Sequence, residues 1–119
     1  MTITAHQLDE LEQMATQFRA LHQGDVAANA SNIIAARAQH AGKISDLHNA
    51  ALADARFAPD TPDGDEMDRR LRQMRQGISE IQVKWRHEQM IADPDAYRAA
   101  SRKLGQINAE LFAWIRQRI

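Results

Sequence analysis

No cysteine occurs in the 119-residue chain, which removes disulfides, thiolate catalysis and cysteine-ligated zinc or iron–sulfur chemistry together. Only three prolines, at 59, 62 and 94, interrupt the sequence, so long uninterrupted helices are allowed. Neither charge dominates: 15 Lys and Arg face 16 Asp and Glu, and a net charge of −1 provides no global field toward nucleic acid or anionic lipid. No stretch approaches the roughly 20 apolar residues of a membrane span. The opening MTITAHQLDELEQ has neither a cationic leader nor an apolar core. A cytoplasmic location without membrane attachment is the expectation.

What is present is helical patterning. Thr4 followed by Gln7 reads as a capping box, and Leu8, Leu11, Met14 or Ala15, Phe18 and Leu21 recur behind it at helical spacing. This predicts a first helix over about 5–22, stopped by Gly24. Residues 26–57 contain eleven alanines and no proline, with Asp25 as the N-cap and a stripe of Val26, Ala30, Ile33, Ile44, Leu47 and Ala51. They predict an unusually long second helix. At its centre Ala35, Ala36, Ala38, Ala41 and Gly42 have little side-chain volume, a pattern that suits close approach of a neighbouring helix ahead of the alternative, a bend at Gly42. Residues 58–65 concentrate proline, glycine and aspartate and predict the one clear loop.

The second half carries the strongest pattern. Met67, Leu71, Met74, Ile78, Ile81 and Trp85 are spaced four, three, four, three, four, a heptad seam on a third helix over about 66–91. Asp93-Pro94 marks the start of a fourth helix over 94–119, where Asp caps and Pro occupies the first helical position. Its stripe is Tyr97, Ala100, Leu104, Ile107, Leu111 and Trp114. Four helices in two hairpins predict a single all-α domain folded as an antiparallel four-helix bundle.

Motifs for catalysis are missing. Glu-x-x-His and His-Glu-x-x-His do not occur, no Gly-x-Ser-x-Gly elbow is present, and no glycine-rich loop can cradle a phosphate. No metal site, cofactor, catalytic residue or small-molecule substrate is therefore expected, and the chain reads as a non-enzyme. His40-Ala-Gly-Lys43 resembles the His-x-x-Lys segment of histidine phosphotransfer proteins, small helical domains. That resemblance implies His40 as a phosphoacceptor. It covers two residues, and Ile44 stands where that family generally has a glycine beside the receiver domain.

Two surfaces point toward partners. Arg69, Arg72 and Arg75, with Arg70 beside them, make a basic run that suits either phosphate contacts in a nucleic-acid or assembly subunit or a solvated face neutralised by Asp65, Glu66 and Asp68. Net charge favours the solvated face. Phe112, Ile115 and Ile119 add a second apolar line beside Leu111 and Trp114, wider than one bundle seam requires. The sequence thus predicts a helical protein–protein interaction module, a regulator, adaptor or chaperone-like protein. Phe112, Trp114, Ile115 and Ile119 would meet a protein partner or a second copy, and the arginines would tune partner choice.

Overall fold

Caps placed by the sequence start most of the helices in the computed structural model, which describes residues 2–119. Helix α1 (Ala5–Gln23) begins with the reciprocal pair expected of a capping box: Gln7 N–H donates to Thr4 Oγ1 at 3.2 Å, and Thr4 N–H donates to Gln7 Oε1 at 3.0 Å. Helix α2 (Val26–Ala53) begins where Asp25 Oδ1 accepts from Ala27 and Ala28 N–H. Helix α5 (Pro94–Arg116) begins where Asp93 Oδ1 accepts from Ala96 N–H at 3.2 Å. Each such cap contributes about 1 kcal/mol by satisfying a backbone donor the helix leaves open.

The protein is all-α, with no strand among the described residues, but it has five helices where four were expected. Helix α3 (Pro62–Lys84) stops short, and a separate short helix α4 (His87–Ala92) follows. Trp85 leaves the helical conformation at φ −108°, ψ 69°. Its ring then turns inward against Tyr97, 5.7 Å between centroids, and Met90 of α4 becomes fully buried. Arg37 Nη1 donates to the Trp85 carbonyl at 2.7 Å, capturing an oxygen that the break leaves without a helical partner. The seam's last member is thus the pivot of a turn.

The loop is also shorter than its composition implies. Thr61 Oγ1 accepts from Gly64 N–H at 3.0 Å, and Pro62 takes the first helical position, so α3 starts inside the expected loop. Helix α2 ends at Ala53 rather than 57, and a single 3₁₀ turn covers Ala55–Phe57. Asp54 ends α2 by binding elsewhere. Its carboxylate, 2% exposed, accepts from Ile3 N–H at 2.9 Å and from the Arg56 guanidinium at 2.7 Å, while Arg56 Nη2 reaches the Ile3 carbonyl at 2.8 Å. The Arg56 hydrogen bonds hold the Asp54 carboxyl down to about 2 against the opposing effect of burial.

Two core clusters form along the long axis. One joins Leu8 and Leu11 of α1, Ile44 and Leu47 of α2, Met67, Leu71 and Met74 of α3, and Leu111, Phe112, Trp114 and Ile115 of α5. The other joins Val26, Ala30 and Ile33 of α2 with Ile81, Trp85, Met90 and Tyr97. Helix α2, 28 residues at 1.5 Å each or about 42 Å, spans both, and it sets the 45 Å long dimension of the molecule. Five of the six seam residues are buried and Ile78 is half-buried. The gap between the clusters lies at the level of Ile78.

Candidate functional site

A cleft of about 580 Å³ opens between the two clusters, walled by α1, α2, α3 and α5. Its apolar wall is Phe18, Ile78, Ile81 and Leu104, and Ala15, Gly105 and Ala109 of the same lining have little or no side chain. Positions this small leave volume that the larger neighbours do not fill. Gly42, in the small-residue centre of α2, is exposed and a side chain there would meet nothing within 4 Å, so no helix approaches closely at that position. Close approach occurs instead between α3 and α5, where a β-carbon on Gly77 would lie 2.7 Å from Leu104 Cδ1.

The charged side chains lining this cleft are all basic. Arg19, Arg37, Arg98 and Arg102 contribute guanidinium groups, His22 and His40 contribute imidazoles, and no carboxylate is among the lining residues. Two of the arginines also hold the walls in place. Arg98 donates through Nε to the His22 carbonyl at 2.8 Å and through Nη2 to the Gly24 carbonyl at 2.7 Å, tying the end of α1 to α5. Arg37 sits 6.0 Å from the centre of the Tyr97 ring while it holds Trp85. Neither Arg37 nor Arg102 pairs with a carboxylate among the described residues, and Arg37 is half-buried.

At one end of the cleft His22 and Tyr97 are locked together. His22 Nδ1 lies 2.6 Å from the Phe18 carbonyl, which requires Nδ1 to be the donor, and Nε2 then accepts from the Tyr97 hydroxyl at 2.8 Å. The two rings stack at 5.1 Å. Burial holds the His22 imidazole below its ordinary value, with Arg37 and Arg98 acting in the same sense, and burial pushes the Tyr97 phenol up. His40 is half-buried, 6.4 Å from the Phe18 ring, and burial lowers its pKa too. On α5, Asn108 is 6% exposed and lines the cleft, and its Oδ1 has no hydrogen-bond partner.

The residues singled out from sequence fall in three places. Phe112, Trp114 and Ile115 are inside the molecule, packed in the first core cluster; Ile119 alone of that line is exposed, at 37%. The width of the apolar face is used internally: the Trp114 ring lies 5.8 Å from that of Phe57, tilted at 40°, and beneath the guanidinium groups of Arg118 and Arg70. Arg69 and Arg70 pair with Glu66, and Arg72 pairs with Asp68, so most of the basic run is neutralised within its own helix. Arg75 is exposed without such a pair. His40 and Lys43, the two residues of the phosphotransfer resemblance, diverge: His40 lines the cleft, whereas Lys43 pairs with Glu10 beside a separate groove of α1 and α2.

The sequence held partial signals for this site. Phe18, Ile81, Tyr97 and Leu104 lie on stripes read as core, and His40 was a candidate on other grounds, but nothing local marks Asn108, Arg37 and Arg102 as neighbours. No group of three metal-ligating side chains occurs among the described residues, and none of their helices is long and apolar enough to cross a membrane. Comparison with protein-family models, with curated proteins and with solved structures finds no match to this chain.

Proposed function

We propose that this chain is a non-enzymatic helical binding module whose working site is the central cleft rather than an outer helix face. The cleft carries this reading. Its volume of about 580 Å³ lies within the roughly 300–1,000 Å³ of sites that enclose a small ligand, and its lining combines an apolar wall with a few polar groups. The walls are fixed before any ligand arrives, because the His22–Tyr97 bond and the Arg98 clamp both join α1 to α5. Both nitrogens of His22 and the Tyr97 hydroxyl are engaged with one another or with the backbone.

The test uses a variant that fills the cleft and leaves the core alone. Gly105 lines the cleft on an exposed part of α5, and a β-carbon there meets nothing within 4 Å. Gly105→Phe therefore places a ring in or over the cleft while removing the helix cost of glycine. Titration with the neutral dye Nile red is expected to give saturable enhancement with one site on the native chain, and at least a tenfold loss of affinity in Gly105→Phe. Equal binding by both proteins rejects the cleft as the site.

A further inference from the structure

We propose that the ligand of this cleft is an apolar organic acid, bound as its carboxylate against Arg37 and Arg102. The inference rests on the cleft being a binding site and adds the chemistry of what enters it.

Three observations carry it. The first is charge. The chain as a whole is close to neutral, with 15 bases and 16 acids, yet the lining of the cleft has four arginines and no carboxylate, and among the described residues only Arg98 of the four pairs with a carboxylate, that of Asp95 outside the lining. The second is the state of Arg37. A half-buried guanidinium usually has a counter-ion, since a desolvated charge is costly when unpaired. Arg37 uses Nη1 on the Trp85 carbonyl, and among the described residues no carboxylate pairs with it. A planar carboxylate fits the remaining donors of that fork, and the exposed Arg102 supplies a second cation on α5.

The third observation is the wall. Phe18, Ile78, Ile81 and Leu104 line the same cleft and offer nothing to a polar ligand body. An inorganic anion satisfies the arginines alone, and a neutral hydrocarbon satisfies only the wall. An apolar acid satisfies both.

Competition against bound Nile red with two naphthalenes at pH 7 and constant ionic strength separates the terms. The probes are 2-naphthoate and the neutral 2-naphthol. 2-Naphthoate is expected to displace the dye at least tenfold more effectively than 2-naphthol. Arg37→Gln is expected to erase the advantage of the acid. Because Arg37 also holds the Trp85 carbonyl, Arg102→Gln, at an exposed position, is measured beside it and is expected to weaken 2-naphthoate and leave 2-naphthol unchanged. Arg72→Gln, away from the cleft, is expected to change nothing. Equal displacement by 2-naphthol and 2-naphthoate overturns the proposal while the Nile red site stands. Loss of Nile red binding to the native chain overturns the cleft itself.

Discussion

His22 and Tyr97 lie 75 positions apart and meet through one hydrogen bond of 2.8 Å, with their rings stacked over it. The bond ties the last turn of α1 to the first turn of α5 inside the second core cluster. Tyr97→Phe keeps the ring and removes the only donor that reaches His22 Nε2 among the described residues. It is expected to cost about 1–3 kcal/mol, the penalty of leaving a buried acceptor unpaired, measured by urea denaturation.

The same histidine makes stability depend on pH in a defined direction. His22 and His40 both have pKa values lowered in the folded state, chiefly by burial, from the ordinary 6.5. Their neutral forms are therefore the ones the fold accommodates. The contribution is fully present above pH 6.5 and is lost as the pH falls below it toward the folded values, because the unfolded chain takes up those protons first. Chemical denaturation at pH 7.5 and pH 5 is expected to show lower stability at pH 5, with a smaller difference in the double variant His22→Gln, His40→Gln.

A second acid transition belongs to the other end of the molecule. Asp54 is held at about 2 in the fold against an ordinary 3.8, through its hydrogen bonds to Arg56 and to the Ile3 N–H. A depressed carboxyl gives stability that is present above pH 3.8 and lost as the pH falls toward 2, amounting to about 2 kcal/mol for this shift. Asp54→Asn is expected to remove that part of the acid transition and to release residue 3 from the 3₁₀ turn. Hydrogen exchange of the Ile3 amide reads the second effect.

Glycines 64 and 105 should respond in opposite senses to the same substitution. A β-carbon on Gly64 would overlap the Ala58 carbonyl oxygen, a backbone atom that cannot swing aside, so Gly64→Ala is expected to be strongly destabilising. At Gly105 the β-carbon meets nothing, and Gly105→Ala is expected to stabilise α5 by about 1 kcal/mol. Thermal denaturation of the two single variants compares them directly.

Phe112, 2% exposed, distinguishes a core role from a docking role. Phe112→Ala is expected to cost about 3–5 kcal/mol. Phe112→Asp buries an uncompensated charge in the first cluster and is expected to unfold the chain, readable as loss of helical circular dichroism.

Elements whose signals are local were legible in the sequence. The Thr4–Gln7 box, the Asp25 cap and the Asp93-Pro94 start depend on residues within a turn of one another, and each forms as the spacing implies. The seam was legible for the same reason. Pro62 was misread as loop because proline marks both a turn and a first helical position, and only the Thr61 cap bond distinguishes them. The break at Trp85 has no glycine or proline to announce it. It depends on Arg37, 48 positions away, and on the burial of Met90, so only tertiary contacts reveal it. The C-terminal line was correctly apolar, but periodicity cannot distinguish a face covered by Phe57 from one left for a partner. The cleft was least legible, because it is a volume left between four helices and no single stripe encodes a space.

The central claim, that ligand enters between the two core clusters, is tested most directly by two-dimensional amide NMR during titration with 2-naphthoate. The account predicts saturable shift changes centred on Phe18, His40, Ile78, Leu104 and Asn108, with little change at Met67 or Leu71. Changes confined to Arg75, Ile119 and their surface neighbours, or no saturable change at all, would contradict it.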